Sequence, residues 1–435
     1  MTASTLPAKP AWILPQKISF RFFFIYFILY SSPWDNLAII PGIGWLIEWY
    51  NKGMEWAVVT ANEHFFQVFG VRQVKQVFNG SGDTSYSWAA FCLLLSLAAI
   101  GALVWSLADR KRSSYRQLNY LLCLFLRYSL AIIAFGYGIQ KIFALQMPFP
   151  LMSQLATPLG DLLPMRFSWL FVGYSTPYQV FSGILETTVA LLLLYRRTAT
   201  FGVMMAMAVF INVMMLNLCY DIPVKLYSMN IVLVCAYLLA NEYRRIACFF
   251  ILNKPADSCS IYHQPLPKKW MRITRIVIKL WVVFLFGMSV YDAQQYYRET
   301  QTVKPHKDLK PGYYDVVHYT RTSDSTAIVP ADSLRWKDFI IDRNTNGSIN
   351  TKDTIFRQRY GRAYFYFEAD SLLPVIHFYK ADQNFLSLQY KLTDSNTILL
   401  SGRLRSDSLL VELRKSKRHF QLAERPFHWL SEANR

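Results

Sequence analysis

At 435 residues the chain is 53% hydrophobic and only 17% charged, which excludes an average soluble protein. Its formal net charge of +18 is spread over loops and diluted by acids rather than gathered into an aromatic-studded stripe, which excludes a nucleic-acid interface. The cysteines at 92, 123, 219, 235, 248 and 259 form no CxxC pair and support neither a disulfide framework nor a thiol redox pair.

Lys9, Lys17 and Arg21 precede an apolar run, as at the start of a signal peptide. The run leads into Ser31-Ser32-Pro33-Trp34 rather than a small-x-small cleavage site, so a retained first span is expected. A spanning helix needs roughly 20 apolar residues. The candidates are Phe20–Trp45, interrupted at Pro33, then Trp88–Leu107, Leu121–Ile142, Tyr178–Leu194, Phe201–Leu218, Val224–Ala240 and Ile273–Val290. Basic loops (Asp109–Arg112, Arg196-Arg197 and Arg244 to Arg275) alternate with loops nearly free of Lys and Arg. Because cytoplasmic loops collect Lys and Arg, seven spans with a cytoplasmic N-terminus put the tail outside. In a bacterial inner membrane that side is the periplasm.

Between the first two spans, Trp45, Trp49, Lys52, Trp56 and Val59 recur at helical spacing over Trp45–Phe69. The pattern suits an amphipathic helix with tryptophans at headgroup depth in the bilayer, or one packed across the mouth of the bundle. Asn79-Gly80-Ser81-Gly82-Asp83-Thr84 follows. Such a loop either presents backbone amides to an anion, with Ser81 and Asp83 at the site, or caps the next helix.

Ionisable residues inside spans face a partner or a cavity, because lipid solvates them poorly. Arg127, Ala131, Ala134, Gly138 and Lys141 share one helical face of the third span, and Ser182, Gly183, Glu186 and Ala190 one of the fourth. Asn212 and Asn217 lie on the fifth, which runs on into Tyr220, Asp221 and Lys225. The expected pocket joins Glu186 to Arg127 or Lys141, with Asn212, Asn217, Tyr220, Asp221 and Lys225 toward its outer end. Two readings stay open: the charges lock helix register, or they form a substrate or proton site. No histidine falls inside a span, which excludes two-histidine haem ligation but leaves a quinone headgroup to be held by Arg, Lys, Glu and Tyr.

Tyr137-Gly138-Ile139-Gln140-Lys141, Phe181-Ser182-Gly183-Ile184-Leu185-Glu186, the Leu-rich run to Tyr195-Arg196-Arg197-Thr198, and Asn217-Leu218-Cys219-Tyr220-Asp221 resemble the DoxX-like family of small four-helix bacterial membrane proteins. The resemblance covers roughly Leu118 to Ala240. It implies a four-helix module, a link in some relatives to quinone reduction, and functional positions at Lys141 and Glu186. This chain departs from it by three further spans, a tail and the lack of a thiol pair. The wider arrangement is similar to large multi-pass proteins of Bacteroidetes-type bacteria.

After Asp292 the hydrophobic period becomes two. Strands are predicted at Tyr313–Tyr319, Trp336–Ile341, Thr354–Tyr360, Ala363–Phe367, Val375–Tyr379, Phe385–Leu392, Ile398–Leu404, Leu409–Leu413 and His419–Leu422. Consecutive hairpins suggest an antiparallel barrel or sandwich. Asp342 to Asp353 has the spacing of a calcium loop, with Asp342, Asn344, Asn346 and Asp353 as ligands and Gly347 at its sixth position. The flanks are strands, however, and Asn346-Gly347 is a strong hairpin signal, so a hairpin with Gly347 at positive φ is preferred and calcium is not expected. Arg425 to Leu430, aromatic and basic, is expected to pack on the core, with dipping into the membrane interface as the alternative.

The predicted organisation is an N-terminal membrane region (1–117), a DoxX-like module (118–240), a cytoplasmic loop with the last span (241–300), and a periplasmic β-domain (301–435). The function expected is binding of a quinone-like or anionic small molecule in membrane-linked redox. The alternative is a non-enzymatic envelope component whose residues 301–435 bind a partner protein.

Overall fold

The computed structural model describes residues 11–35, 42–256, 268–302, 309–322, 327–328, 332–343, 345–370, 373–380, 383–425 and 428–430. Twelve α-helices occur among them. The first seven are α1 (Leu14–Ser31), α2 (Gly44–Ala61), α3 (Ser85–Ala108), α4 (Arg116–Ile142), α5 (Met152–Leu155), α6 (Pro164–Tyr174) and α7 (Thr176–Leu194). The rest are α8 (Ala199–Cys219), α9 (Lys225–Ala240), α10 (Tyr243–Phe250), α11 (Lys269–Thr302) and α12 (Gln421–Glu424). The chain forms two compact units, one of residues 1–138 and 184–287, the other of 139–183 and 288–435.

Among the described residues, five helices (α3, α4, α7, α8 and α11) are long and apolar enough to cross a membrane. Each of the seven predicted spans contains a helix, but two fall short of that standard. The 16 residues of α9 extend about 24 Å, less than a hydrocarbon core of about 30 Å. α1 begins at Leu14 and ends at Ser31, well before the expected Trp45, and it carries Lys17 and Arg21.

Arg21 is buried because its donors are satisfied by a built site. Its Nε and Nη2 donate to the Tyr115 hydroxyl (3.2 and 2.7 Å), Nη1 to Ser106 Oγ (2.7 Å), and Nη2 also to the Asp109 carbonyl (2.8 Å). Tyr115 stacks on Phe20 with ring centroids 5.2 Å apart. α1 packs along α3 at Gly101, where an added Cβ would lie 2.8 Å from Ile25.

The amphipathic segment is helical from Gly44 to Ala61. Val58 and its neighbours pack on Ala89 and Leu93 of α3, while Trp45, Trp49 and Trp56 point outward, each about two-thirds exposed or more. The helix passes into a π-helical turn over Asn62–Phe66, and Asn62 turns its side chain onto the loop beyond, accepting from Val68 N (3.1 Å) and donating to the carbonyls of Val71 and Arg72 (both 2.8 Å).

Among the described residues the second unit holds ten strands: β1 (Gly312–Thr322), β2 (Ala327–Ile328), β3 (Asp338–Ile341), β4 (Asn346–Ile349), β5 (Arg357–Arg359), β6 (Arg362–Ala369), β7 (Val375–Lys380), β8 (Gln383–Leu392), β9 (Thr397–Leu404) and β10 (Asp407–Lys415). Eight of them close an antiparallel barrel in the order β1-β3-β4-β6-β7-β8-β9-β10, with β10 pairing back onto β1. β2 and β5 lie off that ring, each with one partner, β1 and β6 respectively. Closure pairs each of the eight ring strands on both sides. The interior is filled by Trp336, Phe339, Phe356, Phe365, Phe378 and the aliphatic residues alternating along β8–β10, so it is a packed core rather than a ligand cup.

Three readings of the tail are corrected. His419–Leu422 is not a strand: Gln421–Glu424 form one helical turn, with Glu424 accepting from Phe420 N at 3.1 Å. Trp429 and Leu430 do not pack on the core but stand 91% and 82% exposed. β3 and β4 do form the expected hairpin, but its positive φ belongs to Thr345 (54°), not Gly347. Gly347 lies within β4 because a Cβ there would sit 2.4 Å from the Ile340 carbonyl and 2.5 Å from the Phe365 ring.

Candidate functional site in the helical bundle

In the first unit, α4 buries Arg127 and α7 buries Glu186, 2% and 1% exposed. Charged groups reach such depth only where the surroundings solvate them. The Arg127 guanidinium lies 4.8 Å from the Tyr128 ring centroid. Phenols gather in the same interior. Tyr26 of α1 donates to Asn230 Oδ1 of α9, and Asn230 Nδ2 donates to the Leu226 carbonyl (2.8 Å). Tyr137 of α4 faces Tyr227 of α9 with centroids 6.3 Å apart, and Tyr26 stacks with Tyr30 at 5.9 Å. Tyr137 lies in the field of the Glu186 carboxylate, and Tyr227 is within electrostatic reach of both Tyr137 and Tyr30.

Four helices thus bring phenol hydroxyls, an amide and one carboxylate into an apolar body. Phenols donate and accept, a carboxylate takes up and releases protons, and a guanidinium supplies fixed positive charge. That set can hold the two oxygens of a quinone-like ring or the charge of a small anion, and can pass a proton.

A second polar string crosses from α4 to α9. Tyr237 donates to Asn119 Oδ1 (2.7 Å), and Asn119 Nδ2 donates to Asn241 Oδ1 (2.6 Å). Beyond it Glu242 is buried and paired to Arg245 at 2.6 Å.

The other predicted residues divide. Lys141, 8% exposed in the last turn of α4, belongs to the second unit. Asn217 is buried, Tyr220 is half-buried, and Asn212 is exposed on the outer side of α8. Asn212 therefore does not reach the interior: it lies five residues from Asn217, which is more than one helical turn and points it elsewhere. Asp221 is exposed at φ 50° and pairs with Lys225 Nζ at 2.7 Å.

The Asn79–Thr84 loop works as a cap rather than an anion cradle, because its amides are already bonded. Ser81 N donates to Asn79 Oδ1 (3.0 Å), Gly82 N to the Pro223 carbonyl (2.8 Å) and Asp83 N to Ser81 Oγ (3.2 Å). Thr84 caps α3 by accepting from Ser87 N at 3.1 Å. Asp83 caps α9 from a distance, accepting from Lys225 N (2.7 Å) and Leu226 N (3.0 Å).

In the Asp342–Asp353 segment Asn344 lies outside the described residues and Asn346 is in β4. The two carboxylates serve different neighbours. Asp342 accepts from Ser153 N at 3.2 Å, while Asp353 accepts from Ile355 N at 3.1 Å and faces Arg321 at 4.0 Å. Among the described residues no three His, Cys, Asp or Glu side chains converge as a metal site.

Reading the sequence by charge overlooked the neutral members, Tyr26, Tyr30, Tyr227 and Asn230. A signal was present. Tyr26 and Tyr30 stand four apart, and Tyr227 and Asn230 three apart, each pair on one helical face inside an apolar run.

No family model matches the chain, and no solved structure matches it. Over 91 residues it is 36% identical to an uncharacterized protein, YwoB, of Bacillus subtilis (strain 168), which is 21% of this chain and 58% of that protein. The chain thus spans a little over half the length of the curated relative it matches.

Proposed function

We propose that the protein is a multi-pass bacterial inner-membrane protein whose bundle binds a quinone-like or anionic small molecule in membrane-linked redox. The observation that carries this reading is the burial of Glu186 in the bundle, where its charge reaches the Tyr137 phenol. In the proposed mechanism Glu186 relays protons, Arg127 supplies positive charge, and the phenols orient the ring. The DoxX-like pattern around Gly138-Ile139-Gln140-Lys141 and Gly183-Ile184-Leu185-Glu186 supports the same assignment.

Full-length protein in nanodiscs should bind a short-chain quinone saturably. Glu186→Gln should weaken that binding by about tenfold to a hundredfold, the usual effect of a lost hydrogen bond to a charged group, at equal yield of folded protein. If the wild type binds no quinone, or the variant fails to fold, the charges are register locks instead.

The orientation is part of the proposal. The basic loops support a cytoplasmic N-terminus and a periplasmic position for residues 301–435. An alkaline-phosphatase fusion after Asp292 should be active and one after Arg112 inactive; the reverse pair would invert every statement of side. The outward tryptophans of α2 would then meet the bilayer interface.

A second reading has its own support. The exposed Trp429 and Leu430, on a barrel too full to hold a ligand, suit a non-enzymatic envelope component whose residues 301–435 dock a partner protein.

A further inference from the structure

A cavity of about 340 Å³ lies within the second unit, between the α5–α6 segment and the β5–β6 edge of the barrel. Its size is that of a small-molecule site. Four cations line it: Arg166 from α6, Arg357 and Arg359 from β5, and Lys380 at the end of β7. Among the described residues none of the four pairs with a carboxylate. The one acid in the lining, Asp342, is 4% exposed and engaged by Ser153 N, and burial pushes its carboxyl above the ordinary value. The lining thus carries four cations against one acid.

Its second feature is aromatic. Tyr360 and Gly361 form the two-residue tip joining β5 to β6, both at positive φ (53° and 69°). Such a turn normally carries Asn-Gly or Asp-Gly, and a tyrosine there is in a conformation that bulky residues rarely adopt. Its ring is held by two cations. Arg166 Nε donates to the hydroxyl at 3.2 Å with Cζ 5.6 Å from the centroid, and Arg359 Cζ lies 4.7 Å from the same centroid. Tyr364 stands next to it, 6.4 Å between centroids, and Tyr366 and Tyr379 form a second pair at 6.0 Å. Asp161 approaches the tip at Gly361.

The floor is rigid. Ser348 Oγ donates to Ser153 Oγ (2.8 Å) and accepts from Arg362 Nε (2.9 Å), tying the α5 segment to the barrel wall. A firm base, flat phenol faces and guanidinium forks with no carboxylate partner among the described residues are the parts that recognise a ring bearing phosphate or carboxylate. The forks match the anion bidentately, and the rings cover the apolar face of the ligand.

The geometry points to this cleft as a second binding site, for a small anion of one or two rings carrying phosphate or carboxylate, such as a sugar phosphate or sugar acid. It is separate from the bundle interior and does not depend on the role assigned there.

Calorimetric titration of the full chain in detergent, with glucose 6-phosphate, glucuronate, glucose and inorganic phosphate as probes, tests it. At least one of the two ring anions should bind saturably, and glucose and inorganic phosphate about tenfold more weakly or not at all. Which ring anion binds better separates phosphate from carboxylate recognition. The double variant Arg357→Gln, Lys380→Gln removes two exposed cations that have no carboxylate partner among the described residues. It should lose about tenfold or more in affinity with an unchanged melting temperature. Absence of binding by both ring anions, unchanged affinity in the double variant, or inorganic phosphate binding as tightly as the ring anions would each overturn the assignment.

Discussion

Asp338→Ala is expected to destabilise the barrel by about 3–5 kcal/mol, the cost of leaving one member of a buried ion pair alone. Asp338 and Arg362 have side chains 5% and 3% exposed. Arg362 donates through Nη1 (3.1 Å) and Nη2 to the two carboxylate oxygens, and through Nε to Ser348. Tyr313 donates its hydroxyl to the same carboxylate at 3.0 Å, as does Asn350 N at 3.1 Å. Removing the carboxylate strands a guanidinium in a site that water does not reach. Removing both charges together, as Asp338→Leu with Arg362→Met, should recover most of the loss, since paired deletion of buried ions is often neutral. Thermal unfolding of the full chain in detergent, followed by near-ultraviolet circular dichroism of the barrel aromatics, measures both. A single-variant loss below about 1 kcal/mol, the scale of an exposed pair, would show that solvent reaches the site.

Gly347→Ala should cost about 1–3 kcal/mol or more, as overpacking does in a filled core. The added methyl would meet the Ile340 carbonyl at 2.4 Å and Phe365 Cζ at 2.5 Å. One obstacle is backbone and cannot swing away. The other is a ring wedged against Phe339 and Phe378, at centroid distances of 5.2 and 5.0 Å. Phe365→Leu in the same chain should give back part of the loss, and the double-mutant cycle reads the coupling between the two sites. Thr345→Gly tests the neighbouring turn. It should be neutral or slightly stabilising, because Thr345 and not Gly347 holds the left-handed conformation. Equal effects at the two positions would return the strain to Gly347.

The candidate site illustrates two kinds of legibility. Arg127 and Glu186 stand out in a linear reading because a charge inside an apolar run has few physical explanations. Their burial follows from the same cost that makes them visible. The phenols do not stand out, since Tyr is at home in apolar helices, at interfaces and in cores alike. Only the folded bundle brings Tyr137 of α4 against Tyr227 of α9, and Tyr26 of α1 onto Asn230 of α9. Asn212 shows the converse. It reads like Asn217 along the chain, yet helix rotation sends it outward.

The sequence by itself determined the helical body, its apolar segments and the change to period two after Asp292, because these depend on local periodicity and transfer energies alone. It also determined the barrel strands from β6 to β10, whose alternating residues and polar turns are read within a few neighbours. Tertiary structure decided the rest. Closure of β10 onto β1 joins segments about ninety residues apart, the need for glycine at 347 comes from a ring eighteen positions away, and Asp83 caps a helix that begins 142 residues later. The basic cleft is of the same kind: Arg166 meets Tyr360 across 194 residues. Contacts of that span leave no period in the sequence, because their partners are chosen by the folded chain and not by spacing along it.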